Sequence, residues 1–233
     1  MMAPETPTRA QSLVHTIREV LRPVEQQLRQ HPYLHALETG RLLPSQLRAF
    51  VGEQSSMIPS DLRSLALLIS RCAAPASQQF FRVVLDGEAA ALEALEPLAT
   101  AVGMAPAECD AYEPTPGAQA YSAYLAWLCL YRSEAEVAAA LAVNFAAWGA
   151  TCGRMAQALG QRFGWPEAAV RFFTQFATAP ADVSPQALAV IEAGLARGVE
   201  ARHIVRAARM LPGYELMFWD TLWALRTSEA EAG

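Results

Sequence analysis

Residues 133–163 read SEAEVAAALAVNFAAWGATCGRMAQALGQRF, and this stretch decides the class of fold. Ser133 is a suitable cap for a helix that begins at Glu134, runs to Phe163 and is stopped by Gly164. Between Val137 and Gly153 no residue is charged, but Asn144, Thr151 and two glycines interrupt the run. A bilayer span needs roughly 20 apolar residues. The segment therefore predicts the buried core helix of an all-α domain. Asn144, Trp148 and Cys152 recur at i, i+4 and i+8 and so share one face. An amide on such a face needs partners, supplied either by another helix or by a ligand.

Helical periodicity extends outward in both directions, with proline and glycine marking the breaks. Ser12 opens a first helix with Leu13, Ile17, Val20, Leu21 and Val24 inward, and residues 1–11 read as a flexible tail. A short turn follows from His31-Pro32 to Gly40. Pro44-Ser45 opens a second long helix ending near Cys72, and a third spans about Ala76 to Val102. The fourth runs from Ala118 to Tyr131. After the core helix, Pro166 opens a sixth, Pro180 and Pro185 bracket the approach to another, and Glu200–Arg226 is the last, with Pro212-Gly213 predicted to break its middle. Residues 228–233 read as a second tail. No hairpin signal, repeat or linker appears, which predicts one all-α bundle of seven or eight helices over residues 12–227.

Composition narrows the functions. The chain has 233 residues and a formal charge of −5, a balance that builds no basic stripe and argues against nucleic-acid binding. Apolar residues make up 53% and charged ones 18%, which excludes a disordered chain. All 18 basic residues are Arg, so Schiff-base chemistry, a lysine-bound pyridoxal cofactor and a Walker lysine are absent. Alanine fills 46 positions, a helical bias. Cys72, Cys109, Cys129 and Cys152 form no CxxC and no disulfide framework, and residues 1–8 lack the apolar run of a signal peptide. These features predict a cytoplasmic protein with reduced thiols and no membrane association.

Several polar residues sit where chemistry could use them. On the second helix Gln54, Met57 and Asp61 share a stripe, with Glu53 beside it; this is either a solvated face or a pocket wall turned toward Asn144. Glu215 lies next to Pro212-Gly213 among large apolar groups. It is either ion-paired with Arg206 or Arg209, or a desolvated carboxylate suited to proton transfer. Tyr121, Tyr124, Leu128 and Tyr131 follow helical spacing. Four histidines without a Glu-x-x-His, and with Pro32 between His31 and His35, predict no metal site. Cys152 reads as a buried thiol rather than a nucleophile.

Four segments in order carry a resemblance. They are His31-Pro32-Tyr33-Leu34 with Gly40-Arg41-Leu42 and the helix 46–57; Leu85-Asp86-Gly87-Glu88 through Val102-Gly103-Met104; Pro114 to Tyr121-Ser122-Ala123-Tyr124-Leu125; and Tyr214-Glu215 with Phe218-Trp219-Asp220. Together they resemble the TenA/PqqC superfamily. The resemblance implies a haem-oxygenase-like bundle with a central pocket, assembled as a homodimer or homotetramer. Its thiaminase II branch hydrolyses thiamin breakdown products with a cysteine nucleophile, an Asp and a C-terminal Glu. By that resemblance Asn144 stands at the nucleophile, Gln54 at the Asp, Ser55 and Met57 at two tyrosines, and Glu215 alone matches. A related dimetal branch would use Glu88 and Asp182, but Leu92, Thr178 and Pro185 replace its other ligands. A PqqC-type cofactor-free oxidase is the other enzymatic precedent.

The expectation is a divergent member that needs no cofactor or metal. It binds a small heteroaromatic metabolite through Gln54, Met57, Tyr121, Asn144 and Trp148, with Glu215 as the acid/base candidate. The alternatives are a thiamin-salvage aminopyrimidine hydrolase that uses Glu215, and a regulatory or interaction protein without catalysis.

Overall fold

The computed structural model describes residues 7–178 and 183–231, the last five by backbone alone. Among the described residues there are ten α-helices and no strand. They are α1 (Arg9–Arg29), α2 (Pro32–Glu38), α3 (Arg48–Arg71), α4 (Pro75–Ala101), α5 (Pro106–Asp110), α6 (Pro116–Tyr131), α7 (Glu134–Gln157), α8 (Glu167–Ala177), α9 (Pro185–Ala196) and α10 (Ala201–Glu231). This is the expected all-α bundle with more pieces than seven or eight.

Local chemistry accounts for the differences. The first helix starts at Arg9 instead of Ser12, so positions 9–11 are not a tail. Thr8 and Gln11 form a reciprocal cap, Thr8 N–H donating to Gln11 Oε1 at 2.8 Å and Gln11 N–H to Thr8 Oγ1 at 3.2 Å. Residues 1–6 lie outside the described residues, as do Pro180 and Asp182. The turn at His31-Pro32 is a true helix, α2, capped when His31 Nδ1 accepts from Tyr33 N–H at 3.2 Å. Pro44 opens a 3-10 turn, Pro44–Leu47, that leads into α3. The core helix keeps α-form only to Gln157, and residues Ala158–Arg162 widen into a π-turn before Gly164, which takes φ +67°. The last helix runs unbroken through Pro212 and on to Glu231, past the predicted boundary at 227. Buried Ala208, Leu211, Phe218 and Trp219 on both sides of the proline hold it in place against the lost hydrogen bond.

Two apolar cores result. One gathers Ile17 and Leu21 of α1, Leu65 of α3, Phe80 and Phe81 of α4, residues 135–143 of α7, the inner face of α9 and residues 204–211 of α10. The other gathers α2, Phe50–Ile58 of α3, residues 91–99 of α4, Cys152 and Met155 of α7, Phe172 and Phe173 of α8, and Phe218–Leu222 of α10. Six helices contribute to both: α3, α4, α7 and α10 along much of their length, α1 through Leu28 and α6 through Ala118 at the second core. The apolar stretch of α7 is long enough to cross a membrane, but 67% of its most apolar window is buried inside the bundle, packed against α1, α2, α8, α9 and α10.

Candidate functional site

On four of the shared helices a polar residue stands where one core gives way to the other: Asp61 on α3, Glu88 on α4, Asn144 on α7 and Glu215 on α10. These residues converge on one cavity. Gln54, Met57, Tyr121, Phe145, Trp148, Phe176 and Phe218 complete its lining. All six residues singled out from the sequence, Gln54, Met57, Tyr121, Asn144, Trp148 and Glu215, are thereby brought together. The helical spacing of Gln54, Met57 and Asp61 turns one face of α3 inward, so the stripe is not the solvated face that was the competing reading: Gln54 is 6% and Asp61 5% exposed. The cavity holds about 40 Å³ open to the centre of a water molecule. That is room for a few waters or, with small side-chain shifts, one small flat ligand.

A chain of hydrogen bonds crosses the cavity. Tyr121 Oη donates to Asn144 Oδ1 at 2.8 Å, and Asn144 Nδ2 donates to Glu215 Oε2 at 2.6 Å. Trp219 Nε1 donates to the other carboxylate oxygen, Glu215 Oε1, at 3.2 Å, one turn along α10. Glu215 therefore has no ion pair with Arg206 or Arg209; its partners are an amide and an indole. Burial raises its pKa to about 7, against the two hydrogen bonds, which pull it down. Asn144 is held at both ends yet keeps a second amide hydrogen and a second lone pair. Gln54 has no hydrogen-bond partner among the described residues.

Two further carboxylates of the lining, Asp61 and Glu88, were not assembled into the site from sequence. Burial raises the Glu88 carboxyl to about 7, although its side chain keeps some accessible surface where it borders the cavity. Asp61 is raised by burial first and by the charge of Glu88 second, with the nearby Ser122 hydroxyl opposing. The Tyr121 hydroxyl is pushed up by burial and by all three carboxylates, Asp61, Glu215 and Glu88, which places them around one point. Asp61 was already on the Gln54–Met57 stripe and could have been included. Glu88 gave only its place in a supposed metal set, and Phe145, Phe176 and Phe218 look like any core aromatics.

Neighbouring groups have other work. Glu53, fully buried, accepts from Tyr112 Oη at 3.2 Å, Thr115 N at 2.9 Å, Thr115 Oγ1 at 2.7 Å and Gln119 Nε2 at 2.9 Å, which ties the start of α6 to α3. The Cys152 thiol is buried, and burial and then Glu215 push its pKa well above the ordinary value. His31 Nε2 meets Asp220 Oδ1 at 3.1 Å. Among the described residues no three of His, Cys, Asp and Glu are grouped to hold a metal ion. Trp148 stands among rings, 5.9 Å from Phe176, 6.2 Å from Phe218 and 5.7 Å from Trp219.

A sequence profile of the TENA/THI-4/PQQC family matches residues 18–225. No curated protein matches the chain in sequence. Among solved structures, a TenA homolog from Pseudomonas syringae pv. tomato is similar at 13% identity and a TM-score of 0.75, over 96% of this chain and 99% of that one. A TenA homologue from Pyrococcus furiosus is similar at 17% identity and a TM-score of 0.72, over 90% and 99%. A domain from Shewanella denitrificans described as having a heme oxygenase-like fold is similar at 12% identity and a TM-score of 0.75, over 98% and 97%. At these identities the structures speak for the fold, and the fold is the haem-oxygenase-like bundle that the sequence resemblance implied.

Proposed function

Because the chain belongs to the TENA/THI-4/PQQC family, we propose that its interior cavity binds a small planar nitrogen heterocycle of the aminopyrimidine type. The observation that carries this reading is the Tyr121–Asn144–Glu215 chain, which presents a free amide hydrogen, a free amide lone pair and a carboxyl raised by burial to about 7 to one cavity. A ring with adjacent donor and acceptor nitrogens matches Asn144 and Glu215. Gln54 supplies a further amide, and Trp148, Phe176 and Phe218 supply apolar faces for the ring. The four thiols are all free, which supports a reducing compartment.

The pKa of about 7 at Glu215 also favours a hydrolytic reading over pure binding. The ionised carboxylate would take a proton from water as its oxygen bonds to carbon, and the acid formed would pass that proton to a departing amine. Cys152 is protonated and enclosed, so this route uses water directly.

The test is a thermal-shift titration of the purified protein with 4-aminopyrimidine and with thiamin. Wild type is stabilised in a concentration-dependent way by the aminopyrimidine. Asn144→Leu and Gln54→Leu remove that shift while keeping wild-type helicity. An aminopyrimidine shift that survives both substitutions places the ligand elsewhere and ends this reading. Release of a hydroxymethyl product from an aminomethyl pyrimidine, lost in Glu215→Gln, separates turnover from binding.

A further inference from the structure

The cavity has an acidic wall that the hydrogen-bond chain of Glu215 does not use. We propose that Asp61 and Glu88 form a cation subsite, which takes the ammonium or amidinium end of a planar amine whose ring lies against Trp148, Phe176 and Phe218. This deepens the aminopyrimidine-type reading, on which it rests, by naming the charge of the ligand.

The lining contains three carboxylates and no basic residue. The chain has no lysine to supply a counter-charge. Arg63 and Arg82, the arginines closest in sequence to the pair, are exposed, and Arg71, further along α3, is turned to the carbonyls of Cys129 and Leu130. The protein thus leaves two neighbouring acids without a cation of its own.

The unpartnered polar atoms point the same way. Asp61 Oδ1 is fully enclosed and makes no hydrogen bond, and Asp61 as a whole is 5% exposed. Ser122 Oγ, on the helix facing it, is enclosed, its residue 2% exposed; it lies near enough to favour the ionised form of Asp61, but no hydrogen bond of normal geometry joins the two. Buried acceptors in native proteins are nearly always satisfied, so an enclosed carboxylate oxygen without a donor marks a place for one. A group that brings several N–H donors and positive charge suits the site, because two buried acids repel each other when both are ionised and a cation between them relieves that repulsion. An ammonium or amidinium does both. Water, which the space also admits, brings donors without charge.

The aromatic walls suit the rest of such a ligand. The positive edge of a protonated amine is drawn to the faces of Trp148 and the two phenylalanines, most strongly where water is displaced. A neutral ligand of the same shape gains the ring contacts and forgoes the carboxylates. A phosphate or carboxylate ligand would face three acids and is excluded by repulsion.

The experiment compares matched probes by isothermal titration at pH 8. Benzylammonium and benzyl alcohol differ by charge at nearly constant shape. Wild type binds benzylammonium at least about tenfold more tightly, the worth of one charge-assisted hydrogen bond in a buried site. Asp61→Asn and Glu88→Gln each remove most of that preference and leave benzyl alcohol binding within about twofold. Both variants melt at or above the wild-type temperature without ligand, because each removes an uncompensated buried acid. A purely structural role predicts the opposite, a lower melting temperature. Equal binding of the two probes by wild type, no binding of benzylammonium, or a preference that persists in both variants overturns the subsite. If 4-aminopyrimidine still binds through Asn144 in that event, the cation subsite alone has failed; if it does not bind either, the pocket reading fails with it.

Discussion

Glu215 is pulled in two directions, and the outcome fixes how the protein responds to pH. Two donors, Asn144 Nδ2 and Trp219 Nε1, favour its charged form, while burial disfavours it; burial wins and the pKa rises from 4.5 to about 7. In the unfolded chain the same carboxyl loses its proton near 4.5. Below that pH the group is protonated in both states and its contribution to stability is intact. As pH rises from about 4.5 to about 7 the unfolded state ionises first, so stability falls by ~3 kcal/mol and is level above. Glu88 acts in the same sense. Urea unfolding of wild type and Glu215→Gln at pH 5, 6, 7 and 8 should show a smaller decline in the variant, and a variant at least as stable as wild type at pH 8. Parallel curves would contradict the burial argument. Burial acts on the cysteines in the same sense: Cys72 is raised to about 11 and Cys129 to about 12, and Cys152 is raised well above its ordinary value. Native protein treated with N-ethylmaleimide should carry the label at half-buried Cys109, and mass spectrometry should find Cys152 unmodified until denaturant is added. At this scale the sequence revealed residues that were odd within their own helix, such as Asn144 in an alanine run. Asp61 and Glu88 are ordinary within theirs. What marks them is a juxtaposition across α3 and α4, which no single periodicity contains.

Between helices, the same substitution should act with opposite sign according to what a methyl group meets. At Gly194 of α9 an added Cβ would lie 2.3 Å from the Ala135 Cβ of α7, so the two helices must part. At Gly87 of α4 nothing lies within 4 Å. Gly194→Ala should therefore destabilise by ~1–3 kcal/mol, and Gly87→Ala should stabilise by ~0.5–1 kcal/mol by restricting the unfolded chain. Paired urea titrations decide it; shifts of the same sign would refute the packing account. Glu53→Ala belongs here too, because one carboxylate gathers four hydrogen bonds that tie α6 to α3. Its loss should cost ~3–5 kcal/mol, read as a lower urea midpoint. The elements that could be read from the sequence were those with strong local signals. Ser133 does cap α7, its Oγ accepting from Glu136 N–H at 3.3 Å, and Gly164 and Gly198 end their helices in the left-handed region that favours glycine. The five-residue α5 has no periodicity to detect, and Pro212 suggested a break that packing on both sides of α10 overrides.

Across the whole molecule, the polar residues of the cavity lie at the boundary of two apolar cores, and that placement bears on how the protein unfolds. A bundle with two cores could come apart in two steps. Here α3, α4, α7 and α10 each contribute to both cores, so neither can lose its packing without disrupting helices that belong to the other. The tryptophans make this measurable. Trp148, Trp165, Trp219 and Trp223 all pack in or against the core built around Phe50, while Trp127 lies on the outer side of α6 beneath Arg132, and the other core contains no tryptophan among the described residues. Tryptophan fluorescence therefore follows mainly one core, whereas far-ultraviolet circular dichroism follows helices from both. In urea the two signals should give one coincident transition, with equal midpoints and slopes. A fluorescence transition displaced from the dichroism transition would show that the cores unfold separately and that the shared helices do not couple them. A ligand bound at the boundary touches α3, α4, α7 and α10 at once. Saturating 4-aminopyrimidine should accordingly move both signals to higher urea together by the same amount. A ligand that shifted the fluorescence alone would be bound within one core, away from Asp61, Glu88, Asn144 and Glu215.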